Sequence, residues 1–259
     1  MTAYNREKYI GQAIESVLAS NYTHFELIIV DDCSKDSTRG IASRYADKDQ
    51  RISVYSNEEN LGDYPNRNKA ASYAKGKYLK YLDADDIIYY YGLEVMVNYM
   101  LKFPEAGFGL SGKADERDPF PICLSPAESY REHFNGYGHF HRAPGSSIIR
   151  LDAFRGIGGF SGERMIGDFQ LWLTIARYFP MVKLPADMYW NRRHDGQESQ
   201  TEYVRDNYNQ LFERVTREAL THPDCPLPEP ERRTHMTGIH QSLLSRIGRK
   251  LFRSDNSKP

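Results

Sequence analysis

The sequence predicts an α/β fold, a largely parallel sheet with helices on its faces. Three observations carry that expectation. Short apolar runs alternate with amphipathic stretches through the first half of the chain, as successive βαβ units require. Each apolar run ends in polar, often acidic residues, which is where open α/β sheets bind ligands. The 259 residues, 40% hydrophobic and 27% charged, are enough for one substantial core.

Phe25 to Val30 (FELIIV) reads as a buried strand, Ile52 to Ser56 as a second and Lys77 to Asp83 as a third. Between them Ser37 to Ala46 and Tyr64 to Lys75 read as helices, the first opened by Ser34 or Asp36 as N-cap. Gly107 to Gly112 is strand-like. Asp115 to Gly145, rich in Pro, Gly and aromatics, reads as a long working loop. A strand at Ser147 to Leu151, a helix from Asp168 to Phe179 and strand-like MVKL and MYWNRR follow. Thr201 to Leu220 reads as a surface helix. A Pro-rich linker from His222 leads to a basic amphipathic stretch.

Composition excludes several classes. Lys plus Arg total 34 against 35 for Asp plus Glu, so no general nucleic-acid partner is expected. Cys33, Cys123 and Cys225 are odd in number and widely spaced, which supports neither a disulfide framework nor a zinc site. With no apolar run of about 18 residues and no signal-peptide core, a cytoplasmic protein is expected.

Two acidic clusters follow apolar strands. In an extended Asp83-Ala84-Asp85-Asp86, Asp83 and Asp85 would share a face and offer hard oxygen ligands to Mg2+ or Mn2+. A solvated acidic turn is the plain alternative. In Asp31-Asp32-Cys33-Ser34-Lys35-Asp36-Ser37-Thr38, the Asp31 carboxylate suits a nucleobase N–H, while Ser34, Asp36 and Thr38 suit helix capping. The His139-Phe140-His141 triplet reads as packing within an aromatic loop.

Taken together, the segments Thr2-Ala3-Tyr4-Asn5-Arg6, VDDCSKDST, Asn60-Leu61-Gly62 with Arg67-Asn68, and YLDADD resemble the family 2 glycosyltransferases. Gly158-Gly159-Phe160, Gly167-Asp168 with Leu171-Trp172-Leu173, and Asn191-Arg192-Arg193-His194 with Ser199 are similar to that family's later segments. The resemblance covers Thr2 to about Ser199. It implies a GT-A type, Rossmann-like, mostly parallel sheet and an inverting transfer from a nucleoside diphosphate sugar, UDP by default, to a glycan or lipid-linked acceptor.

Residue by residue, it implies that Tyr4 stacks on the base, that Asp31 accepts from its ring N–H, and that Thr2 and Arg67 complete the nucleotide pocket. Asp83 would sit near the ribose and metal, Asp85 would bind the metal directly, and His194 would approach the metal or diphosphate. Asp168 would be the catalytic base, with Gly167 where the family carries an acidic residue. In the family a strand precedes the opening segment, and only Met1 precedes Thr2 here. The sheet is therefore expected to lack most of its first strand and the native chain to begin upstream.

The chain divides on this reading into a nucleotide-sugar half, 1–110, an acceptor half of the same domain, 111–200, and a helical extension, 201–259. In that extension, Leu243, Ile247 and Leu251 form a stripe beside basic residues, so residues 242–253 read either as an interfacial helix on anionic membrane at its cytoplasmic face or as an ordinary helix packed on the body or a frayed end. Two rivals differ in chemistry. A sugar nucleotidyltransferase needs a Gly-rich basic loop that Tyr4-Asn5-Arg6-Glu7 does not offer, and a sensor would bind nucleotide sugar without turnover.

Overall fold

The computed structural model describes residues 1–112, 120–136, 138–194 and 202–237. The first half builds a parallel three-stranded sheet in the order β1 (Thr2–Ala3), β2 (Leu27–Asp31) and β3 (Ile52–Ser56). Its crossovers are α1 (Ile10–Leu18) and α2 (Thr38–Ala46), followed by α3 (Asp63–Tyr73). In α1 the buried residues are Ile10, Ala13, Ile14 and Val17, the one-face spacing of a helix lying on a sheet. With Ile29, Ile52 and Leu82 they form one core cluster.

The first strand is as short as the sequence predicts, yet it holds a central place. Thr2 pairs with Val30 on one side and bridges Asp83 on the other. Met1 extends the ladder, its carbonyl accepting from the Val30 N–H at 3.0 Å and its ammonium donating to the Ile28 carbonyl at 2.7 Å.

The third expected strand is shorter than its apolar pattern. Only Tyr78–Leu79, β4, is regular, because the segment changes partners in mid-course. Tyr78 and Leu79 pair antiparallel with Arg150 and Ile149, after which the chain leaves to reach Thr2 at Asp83. Next come β5 (Ile87–Ile88) and α4 (Gly92–Lys102).

The second half is a mixed sheet, and here the parallel expectation stops. Its members are β6 (Phe108–Ser111), β7 (Ile122–Leu124), β8 (Ser147–Arg150) and β9 (Met181–Leu184), ordered β4-β8-β6-β9-β7, with only β6 and β9 parallel. Helices α5 (Pro126–Asn135), α6 (Leu151–Gly156) and α7 (Gly167–Tyr178) accompany it. Strand β10 (Tyr189–Trp190) returns to pair with β5 in the first half.

The expected long loop is not all loop. Its described residues include β7, α5 and a turn at Pro144–Ser146, and α5 starts with a capping box. The Ser125 hydroxyl accepts from the Glu128 N–H while the Glu128 carboxylate takes the Ser125 N–H at 2.8 Å. Ser125-Pro126-x-Glu128 is a legible start signal that the Pro and aromatic content masked.

The core of this half is aromatic. Trp172 stacks on Phe108, and Phe140 is fully buried against His133, so the triplet packs as expected. Helix α8 (Glu202–Thr221) is no simple surface helix. Val215, Thr216, Ala219 and Leu220 are buried, and Phe212 stacks on Phe169 and His141. Its polar composition hid that apolar stripe. Ser199 and the amphipathic stretch 242–253 lie outside the described residues.

Candidate active site

The site grows from the carboxyl ends of β1 and β2. Because Ala3 pairs with Asp31 while Thr2 bridges Asp83, the two aspartates flank β1, about two strand spacings (~10 Å) apart. Both carboxylates sit where the chain leaves the sheet.

Asp31 and Asp32 are adjacent and both buried, yet they differ in hydrogen bonding. The Asp32 carboxylate accepts from Asn57 Nδ2 at 2.7 Å and from the Leu61 and Gly62 N–H groups at 2.9 Å each, so it clamps the turn into α3. Asp31 accepts one bond, from the Ser34 N–H at 3.1 Å. Its Oδ1 is buried with no partner among the described residues, a costly state unless a ligand donor completes it.

The loop after β1 is clasped to the loop before α2. Asn5, held at φ +52°, donates its N–H to the Ser34 hydroxyl and accepts from the Lys35 N–H on Oδ1. Ser34 is thus used across the loops rather than as the N-cap of α2. Asp36 takes the Thr38 N–H at 2.9 Å, so of the three residues suited to capping it alone serves the helix start, while the Thr38 hydroxyl accepts from the Arg6 N–H at 2.7 Å. Tyr4 stands on this loop with 43% of its surface exposed, a ring free to receive a flat partner.

The acidic cluster forms differently from its extended reading. The Asp86 N–H closes onto the Asp83 carbonyl at 3.0 Å, making a turn, and Ala84 is tucked inside. The turn replaces strand alternation by convergence. Asp83, Asp85 and also Asp86 then present carboxylate oxygens within 4.8 Å of one another.

Cations surround the cluster. Arg67, buried on α3, reaches Asp83 at 2.7 Å and Asp63 at 2.8 Å. Burial works against its charge, but those carboxylates outweigh it and push its pKa up. Its Nη1 has no hydrogen-bond partner among the described residues. Asp85 is met by Arg6 at 2.7 Å and by His194 Nε2 at 3.0 Å. Asp86 accepts from Asn191 Nδ2 at 3.2 Å and from the Arg192 N–H at 3.0 Å. Burial and the neighbouring charge of Asp83 nevertheless raise the Asp86 carboxyl to about 7. Beside Asp85 lies an open cleft of about 600 Å³ lined by Arg6, Lys8, Tyr9, Asp36, Arg193 and His194 among others.

Asp168 is the second residue of α7, where a carboxylate favours the helix dipole, and its Oδ1 accepts from the Phe169 N–H at 2.7 Å. Burial raises its carboxyl to about 6. The Phe169 N–H, the Tyr64 hydroxyl and Arg67 pull the other way, and Asp63 adds to the rise. Such a group is ionised near neutrality and still basic enough to accept a proton.

The structure therefore brings Thr2, Asp31, Arg67, Asp83, Asp85 and His194 to one edge of the sheet, with Asp168 within the electrostatic reach of Arg67. The sequence places Asp86 in the acidic cluster without a ligand role of its own, and gives none to Arg6, Asn191 or Arg192, although all three lie inside the quoted segments. Lys80 carried no signal. It is half-buried, donates to the Tyr81 carbonyl at 2.7 Å and to the Gly145 carbonyl, and loss of solvent around it lowers its ammonium to about 7.

The sequence model described as Glycosyl transferase family 2 matches residues 1–158. A Bacillus subtilis (strain 168) protein, provisionally named teichuronic acid biosynthesis glycosyltransferase TuaG, is 43% identical over 131 residues, which are 49% of this chain and 51% of that protein. The Escherichia coli UDP-Glc:alpha-D-GlcNAc-diphosphoundecaprenol beta-1,3-glucosyltransferase WfgD is 39% identical over 39% of this chain and 40% of its own length. The chain thus spans about half or less of these relatives.

Among solved structures, S. aureus TarS 1-349 in complex with UDP-GlcNAc superposes with a TM-score of 0.72 at 20% identity, over 92% of this chain and 69% of that one. This likeness shows the GT-A fold. With the family's sequence model matching more than half of its residues, the chain belongs to the family 2 glycosyltransferases.

Proposed function

We propose that the protein moves a sugar from a nucleoside diphosphate sugar, most simply a UDP-sugar, to a hydroxyl of a glycan or lipid-linked acceptor, with inversion. The observation that carries this reading is the convergence of three carboxylates at the sheet edge, ringed by Arg6, Arg67 and His194. Asp168 stands apart from that cluster as a raised carboxyl.

Asp31 and Arg67 support the choice of base. Asp31 Oδ1 can only accept and Arg67 Nη1 can only donate, and both lack partners among the described residues. A ring N–H beside a carbonyl, as in uracil or guanine, answers that pair. Adenine and cytosine present an acceptor where the N–H is needed. The names of WfgD and of the TarS complex, with UDP-Glc and UDP-GlcNAc, favour uracil, while a Pyrobaculum calidifontis mannosyltransferase of the same fold carries GDP-Man and Mn2+.

Tyr4 then stacks on the base and Thr2 faces the nucleotide. The donor set fits a hard divalent cation, since burial and the neighbouring Asp83 already raise Asp86 and all three side chains offer oxygens. Asp83, Asp85 and Asp86 would hold Mn2+ or Mg2+, with His194 as a nitrogen donor, and the ion would neutralise the departing diphosphate. Arg6, Lys8 and Arg193 line the adjoining cleft and add positive charge. Asp168 takes the proton from the acceptor hydroxyl while that oxygen attacks the anomeric carbon from the face opposite the leaving group. The nucleoside diphosphate leaves with the bonding pair.

The relatives' names support a role in cell-surface polysaccharide synthesis. No helix among the described residues is long and apolar enough to cross a membrane. Cytoplasmic action, with residues 242–253 touching the membrane that carries the acceptor lipid, completes the reading.

The test is a panel of sugar nucleotides with Mn2+, scored for released nucleoside diphosphate. A UDP-sugar is expected to turn over, slowly by hydrolysis and faster with acceptor. Binding without release from any donor would identify a sensor instead.

A further inference from the structure

Gly167 opens α7, although glycine is the poorest helix former after proline. Its neighbour explains it. A Cβ at position 167 would lie 2.7 Å from Cδ2 and 2.8 Å from Cε2 of Tyr64, a contact that real side chains do not make. Tyr64 comes from α3, one turn before Arg67, is 5% exposed, and stacks on Phe160 at 5.0 Å between ring centres. Its ring thus fills the space that a side chain at 167 would need.

The ring carries its hydroxyl to Asp168. That places the hydroxyl beside Asp168, where it favours the ionised carboxylate. Burial keeps the phenol protonated, so it remains a donor throughout the neutral range. We propose that Tyr64 is a positioning residue, aiming the Asp168 carboxylate at the acceptor hydroxyl, and that Gly167 is glycine to admit it.

This inference rests on Asp168 being the base. One carboxylate oxygen held by a fixed donor leaves the other to receive the acceptor's proton in a single orientation. The same donor favours the ionised form against burial. The other groups facing Asp168 are Asp63 and Arg67 of α3 and Tyr208 of α8.

The experiment uses Tyr64→Phe, which keeps the ring and removes the hydroxyl. The acidic limb of kcat/KM, set by Asp168 near pH 6, is expected to move up by about one unit. The value of kcat should fall about tenfold with donor KM unchanged. Gly167→Ala should push the ring away and cause a similar loss, and the double variant should lose little more than either alone. Full additivity, or a Tyr64→Phe enzyme with normal kcat and an unmoved limb, would overturn the proposal. Asp168→Asn separates the two levels. If it retains turnover, the base assignment itself is wrong, whereas an inactive Asp168→Asn beside an unaltered Tyr64→Phe removes only the role of Tyr64.

Discussion

The parallel sheet of the first half and the mixed sheet of the second contribute to the site in different ways. In β1-β2-β3 each functional side chain sits at or just past a strand end, and its partners lie in the next loop or helix, as Asp32 does with Leu61 and Gly62. From the second half the contributions arrive from afar, with Asn191 and His194, just after β10, closing on Asp86 and Asp85 across more than a hundred residues. The first region makes a pocket whose shape is local. The second supplies groups whose placement depends on the whole fold.

The severest challenge to this contrast removes one carboxylate from each side. Asp85→Asn and Asp168→Asn are each expected to cut sugar transfer by about two to four orders of magnitude, read as nucleoside diphosphate released by purified protein. Normal turnover in either would break the assignment of donor and acceptor sides.

A milder pair sharpens it within the first region. Asp31→Asn should raise donor KM by about 10- to 100-fold, the worth of a charge-assisted hydrogen bond, with little change in unfolding. Asp32→Asn should instead lower stability by about 1–3 kcal/mol in urea titrations, because it loosens the clamp on the turn into α3. Equal effects from the two neighbours would show that Asp31 is structural as well.

The smallest effect is a stability shift on metal addition. Saturating Mn2+ should raise the melting temperature by a few degrees, since it binds the folded carboxylate cluster alone. Asp85→Asn should abolish that rise. A rise that survives in the variant would place the ion elsewhere.

Much of the first region was readable before any coordinates. Phe25 to Val30 was apolar enough to be a buried strand, and Asp31 and Asp83 followed directly from strand ends. The turn at Asp83 to Asp86 was not, because a single hydrogen bond between residues three apart decides it, and that bond leaves no mark in composition. Asp86, though part of the acidic cluster, carried no ligand role of its own for this reason. The second region resisted more strongly. Tyr78–Leu79 changes sheet partners, α5 hides in a Pro-rich stretch, and α8 buries a stripe beneath polar neighbours. Each outcome turns on tertiary contact rather than local preference. The role of Gly167 shows the same limit, since the sequence reveals a departure but only the fold supplies the tyrosine that occupies the space.

The return of β10 to β5 has a consequence for the timing of synthesis. Asp85 and Asp86 are made early, whereas Asn191, Arg192 and His194 are made more than a hundred residues later. A nascent chain therefore carries an acidic knot whose closing strap is still unmade. The cluster at Asp85 and Asp86 thus gains its last partners only once β10 and the residues after it have been made.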